Sequence, residues 1–154
     1  MIKIGIDPGK HTGYAEYHLN KFLRLETIDF WTAILRIDGH KNVGNNIHVY
    51  VEQPALNRAV WTAKSKITEA IRKQKNFTQS IDIGLKIAKN IGQNIEHAEL
   101  IIAFCKLIGV PVTGCKPNEK SLTKTTKKEF LKFTGYTGHT SEHSRDAGML
   151  VWGR

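Results

Sequence analysis

The sequence predicts an α/β domain on a mixed five-stranded sheet, three antiparallel strands followed by parallel additions, with flanking helices. Strand-like segments come first and consecutively, and further ones then alternate with helical segments. The chain has 154 residues, 40% of them hydrophobic, enough for one compact core and too few for two, so residues 1–154 are read as a single domain.

Ile2, Ile4 and Ile6 alternate with Lys3 and Gly5 and stop at Asp7-Pro8-Gly9, the period-2 pattern of a strand ending in a turn. Tyr14 to His18 and Leu23 to Phe30 read as the next two strands, with turns at Gly13 and at Asn20-Lys21. A short helix is expected near Thr32 to Ile37. After a polar, Asn- and Gly-rich break, the mostly apolar His48-Val-Tyr-Val-Glu52 reads as a strand buried between parallel neighbours. From Ser80 to Ile108, apolar or small residues recur every three or four positions (among them Ile81, Leu85, Ala88, Gly92, Ile95, Ala98, Ile102 and Cys105), marking the sheet-facing stripe of a long amphipathic helix. That leaves Ile83, Ile87, Ile91 and Ile101 on its outer face, available to a second copy of the chain or to the Arg58 to Lys75 segment. Gly109 stops the helix, and Val110 to Thr113 is a fifth strand whose Pro111 puts it towards an edge. Thr126-x-x-Glu129 is a capping box opening a short helix that closes at Gly135. A last helix starts near Thr140 or Ser141 and turns Ala147, Leu150 and Val151 inward.

The charge is unevenly spread. The formal net charge of +9 is accounted for by two segments, Arg58 to Lys75 with +5 and Lys116 to Lys132 with +4, which suggests two surfaces for a phosphate backbone. In the first, Arg58 and Lys64 flank Trp61, a ring able to stack on unpaired bases; in the second, Lys116, Lys120 and Lys124 are the candidate contacts. A solvated lysine-rich face is the plain alternative for either segment. No basic leader followed by an apolar stretch opens the sequence, and no run is apolar enough to span a membrane. Cys105 and Cys115 lack the repeated spacing of a zinc site and read as reduced thiols, so a cytoplasmic protein is expected.

Three carboxylates fall where such a sheet brings chain ends together: Asp7 ending the first strand, Glu52 ending the fourth, and Asp146 in the first turns of the last helix. Each has an ordinary explanation, as a turn former, a solvated strand end and a helix-dipole partner. On adjacent central strands, however, three like charges in a half-buried site repel unless a cation neutralises them. His143, three residues before Asp146 on the same helical face, can join them; Glu142, four before, is the alternative. Oxygen-rich ligands select Mg²⁺, with Mn²⁺ an acceptable substitute beside an imidazole.

Ile4-Gly5-Ile6-Asp7-Pro8-Gly9 with Thr12-Gly13, Val49-Tyr50-Val51-Glu52, and Ser141-Glu142-His143-Ser144-Arg145-Asp146-Ala147 together resemble, in order, the catalytic motifs of RuvC-like Holliday-junction resolvases. The tail Gly135-Tyr-Thr-Gly-His-Thr-Ser-Glu-His resembles phage-type members. The resemblance implies an RNase H-like fold and a magnesium-dependent endonuclease that cuts branched DNA, with Asp7, Glu52, His143 and Asp146 binding two metal ions. It further implies two-metal hydrolysis leaving a 5′ phosphate, with Asp7 bridging the ions; because a junction has approximate twofold symmetry, a homodimer is the simplest way to place two sites on it. One departure stands out: no aromatic wedge follows Glu52 before Trp61, so junction preference is less well marked than nuclease chemistry. An RNA/DNA-hybrid or flap nuclease on the same fold needs the same acids, and a catalytically silent DNA-binding module needs only the basic segments. Sugar kinases and actin-like ATPases also open with a strand and an Asp/Gly turn, but close two such domains around their nucleotide, so no nucleotide cofactor is expected here.

Overall fold

The alternating isoleucines form β1 (Ile2–Asp7), which pairs antiparallel with β2 (Thr12–His18) on one side and parallel with β4 (Ile47–Glu52) on the other. β2 continues through a tight turn into antiparallel β3 (Lys21–Ile28). Leu19 and Asn20 both have positive φ, 47° and 62°, as a two-residue hairpin turn of right-handed strands requires. β5 (Val112–Cys115) adds parallel to β4, giving the order β3-β2-β1-β4-β5. The structure, a computed structural model, describes residues 1–56, 77–117 and 124–154.

Period-2 alternation sends side chains to two separate cores. On one face Ile4, Ile6, Val49 and Val51 pack beneath α1 (Phe30–Asn42) and α2 (Phe77–Leu107), which contribute Ala33, Ile37, Ala98, Ile101 and Cys105. On the other, Ala15, Tyr17 and Leu25 meet Phe130 of α3 (Lys127–Thr134) and Ala147 and Val151 of α4 (Glu142–Val151). The predicted mixed sheet with flanking helices is therefore the observed architecture. Cys105 and Cys115 are both buried, and no described helix is long and apolar enough to cross a membrane.

Gly13, expected at a turn, lies inside β2 opposite Asp7, and Phe30, expected to end the third strand, opens α1 after the Asp29 cap. Three further expectations need correction. The helix expected near Thr32 to Ile37 is thirteen residues long, because Asp29 caps it through Thr32 N–H (3.0 Å) and Gly39 sits on its solvent side; Gly44, at φ 75°, follows its end. The fifth strand starts two residues late. Pro111 has no N–H for the ladder, but its carbonyl accepts from Val49 N–H (2.9 Å), so pairing begins at Val112 and reaches Cys115 opposite Glu52. The third concerns the stripe of α2, where Ile101, expected outside, is fully buried, while Leu85, Ala88 and Gly92 are exposed. Among the described residues of the helix the buried ones are Ala98, Ile101 and Cys105, a stripe rotated towards Ile101.

One buried acid lies away from the strand ends. Glu16 is 4% exposed, yet it accepts from the Tyr14 hydroxyl (2.9 Å), His40 Nε2 (3.1 Å) and Arg24 Nε (3.5 Å). Asn45 Nδ2 donates to His40 Nδ1 (2.9 Å), which leaves the Nε2 proton for Glu16. This network fastens α1 to the sheet.

Candidate metal centre

Asp7 and Glu52 each follow a registered pair, Ile6 with Val51, on adjacent parallel strands. Because Ile6 and Val51 belong to the α1/α2 core, the next residues turn to the opposite face, where α4 crosses the sheet. Two glycines let α4 come close. A Cβ on Gly5 would overlap the Ala147 carbonyl oxygen, and one on Gly13 would overlap the carbonyl oxygen of His143. Ser141 caps the helix reciprocally, its Oγ accepting from Ser144 N–H (3.0 Å) while Ser144 Oγ accepts from Ser141 N–H (2.9 Å). The turn after β1 is pinned as well. Thr12 Oγ1 donates to the Gly9 carbonyl (3.0 Å), which also accepts from His97 Nδ1 of α2 (3.3 Å).

This packing places His143 Nδ1 2.8 Å from Asp7 Oδ2. The hydrogen bond is the largest cause of a raised His143 pKa, with the charges of Asp7, Glu142 and Asp146 acting in the same direction. Burial is the first cause that pushes the Glu52 carboxyl up to about 7, and repulsion by Asp7 and Asp146 adds to it. The Asp146 carboxyl is also pushed up to about 7, by burial, then by Asp7, with Glu142 contributing. Lys124 and His143 pull both back down. Asp146 is 5% exposed and its buried Oδ1 has no hydrogen-bond partner among the described residues, unlike the satisfied Glu16.

A hard divalent cation fits this donor set. Carboxylate oxygens and an imidazole are its ligand types, burial and repulsion hold Glu52 and Asp146 up at about 7, and Asp146 Oδ1 has no partner among the described residues. The acids nevertheless stand apart rather than forming a finished cage. Among the described residues, no group of three or more His, Cys, Asp or Glu side chains is in metal-binding geometry.

Of the candidate phosphate contacts, Lys124 is exposed and its charge reaches Glu52 and Asp146, whereas Lys116 is exposed just beyond β5. Arg58, Trp61, Lys64 and Lys120 lie outside the described residues. Gly5 and Gly13 escaped the sequence reading as site builders, although a glycine inside a strand is itself a sign of close backbone approach. Gly13→Ala is expected to lower stability by about 1–3 kcal/mol, because backbone must move to admit the methyl group. Gly39→Ala, with nothing within 4 Å of its Cβ, should instead be neutral or stabilising by about 0.5–1 kcal/mol in a helix. Chemical denaturation of both variants checks the contrast, and equal effects would refute the close packing of α4 on β2.

Neither a protein-family model nor a curated protein sequence matches the chain. A solved structure, that of T. thermophilus RuvC in complex with Holliday junction substrate, is similar over 99% of this chain and 90% of that one, with a TM-score of 0.56 and 15% sequence identity. The chain thus has the RNase H-like fold seen in RuvC.

Proposed function

We propose that this chain, one nuclease domain over residues 1–154, is a Mg²⁺-dependent endodeoxyribonuclease that cuts branched DNA as a Holliday-junction resolvase. The observation that carries the reading is the place of three acids at the ends of β1 and β4 and in α4, two of which, Glu52 and Asp146, are held up at about 7 by burial and by repulsion from Asp7. Its appearance on a fold shared with a protein solved on a Holliday junction supports the choice of substrate.

Asp7 on the central strand, Glu52 on its parallel neighbour, and Asp146 with His143 on α4 would hold the ions. When bound, the ions would supply Lewis-acid stabilisation of the phosphate and a water activated for attack, leaving a 5′ phosphate. The protein's own part is to fix the ligands. β1 and β4 hold Asp7 and Glu52 in register, and Gly5 and Gly13 let α4 deliver Asp146 and His143. Lys124 adds positive charge where the phosphate would lie. Two copies acting on one junction would account for paired nicks; Ile87 and Ile91 on α2 are half-buried and Ile101 belongs to the core, so Ile101 is no part of such an interface.

The test is cleavage of a four-way junction, a flap, an RNA/DNA hybrid and a linear duplex in Mg²⁺ against EDTA, with light scattering of the junction complex. Paired cuts in the junction by two bound copies are expected. Preference for the flap or hybrid would keep the metal chemistry and change the substrate, whereas binding without cleavage in Mg²⁺ or Mn²⁺ would make the chain a silent module. Among variants, His143→Asp is expected to retain Mg²⁺-supported cleavage and His143→Ala to lose most of it, about tenfold or more. A dead Glu142→Ala beside a normal His143→Ala would transfer the ligand role to Glu142.

A further inference from the structure

Lys124 stands outside helix and strand, two residues before the Thr126 cap of α3, and it is exposed. A lysine on a free loop would pay rotamer entropy to keep its ammonium over the acids. The backbone beside it is held, however. Thr125 is 7% exposed, and its carbonyl accepts from Arg145 Nε at 3.0 Å. Arg145 Nη1 lies 3.4 Å from Thr140 Oγ1, so the guanidinium ties the entry to α3 to the entry to α4. On the other side, Thr126 N–H donates to Glu129 Oε2 (2.8 Å) and locks the following turn. Arg145 itself immediately precedes Asp146 in α4. The same side chain therefore couples the helix carrying two candidate ligands to the segment carrying the lysine.

We propose that Arg145 is a positioning residue that holds Lys124 over the acidic site, where Lys124 contacts a backbone phosphate of bound DNA; this rests on the nuclease reading above. Arg145 precedes Asp146 in α4 and its Nε donates to the carbonyl of Thr125, so the backbone next to Lys124 is tied one residue from a candidate ligand. Arg145 gives one N–H to a carbonyl and one to a hydroxyl, which ties it to the segment beside Lys124.

The test is a double-mutant cycle on the salt dependence of four-way-junction binding, measured by fluorescence anisotropy in EDTA, where cleavage does not interfere. One phosphate contact contributes about 0.9 to the slope of log Kd against log salt concentration. Lys124→Ala is expected to lower the slope by about 1, Arg145→Ala by about the same, and the double variant by no more than either. Arg145→Gln, which keeps a donor but loses the charge, should restore most of the slope, and it replaces the alanine variant should that one fail to fold. A fall of about 2 in the double variant would mean two independent phosphate contacts and overturn the proposal. So would an unchanged slope in Lys124→Ala, or in an Arg145→Ala protein that is merely less stable. Absence of cleavage in Mg²⁺ by a wild type that shows this coupling would sink the nuclease reading alone; absence of DNA binding would overturn both.

Discussion

Asp7→Asn is expected to lower Mg²⁺-dependent cleavage by about a hundredfold or more while leaving branched-DNA binding within a few-fold of wild type. The substitution keeps the size of the side chain and its place at the end of β1, and removes one negative charge from the face shared with Glu52 and Asp146. An amide still accepts a hydrogen bond from His143, so the fold should survive. It is a far poorer ligand for a hard cation, and the lost transition-state stabilisation is about 3 kcal/mol for each hundredfold in rate. Single-turnover cleavage with matched anisotropy measurements separates the two effects. Near-wild-type cleavage would remove Asp7 from the site.

In divalent-free buffer the protein is expected to lose stability as pH rises from about 4 to about 7, and to regain it at pH 8 on addition of Mg²⁺. Glu52 and Asp146 are both held up at about 7 in the fold, above their ordinary values of 4.5 and 3.8. Below those ordinary values both groups are protonated whether folded or unfolded, and their contribution to stability is fully present. Between there and about 7 the unfolded chain releases protons that the folded chain retains, so stability falls, and the loss is complete once pH passes the folded values. His143, raised by Asp7, contributes with the same sign in a window above its ordinary value of 6.5. Because the acids are coupled, the combined effect is set at a few kcal/mol, or about 5–10 °C in Tm for a chain of this size. Glu52→Gln should flatten the profile, raise the Tm at pH 8 without metal, and weaken the response to Mg²⁺. A profile that stays level from pH 4 to pH 8, with no effect of Mg²⁺, would show that these carboxyls are not frustrated in the fold.

Much of this arrangement was legible in the residues. The isoleucine alternation before Asp7, the apolar run before Glu52 and the Thr126 capping box specify local structure strongly, and each formed where its pattern placed it. The side of α2 that faces the sheet was read less well, because apolar residues on neighbouring faces give stripes that differ by a small rotation. Only tertiary packing decides that Ile101 is buried and Leu85 is not. The order of Asp7, Glu52 and Asp146 along the chain suggested convergence, but how close α4 comes depends on Gly5 and Gly13 meeting backbone carbonyls more than a hundred residues away. Likewise Arg145 reads as an ordinary helix-surface charge until its contact with the Thr125 carbonyl is seen.

The claim that Asp7, Glu52, Asp146 and His143 form a metal centre is tested most directly by anomalous diffraction at the manganese edge from crystals grown with Mn²⁺. The account predicts density bounded by the carboxylates of Asp7, Glu52 and Asp146, with His143 released from its bond to Asp7 and turned towards an ion, and loss of that density in Asp7→Asn. Manganese bound elsewhere on the protein, with these carboxylates unliganded at concentrations that support DNA cleavage, would contradict it.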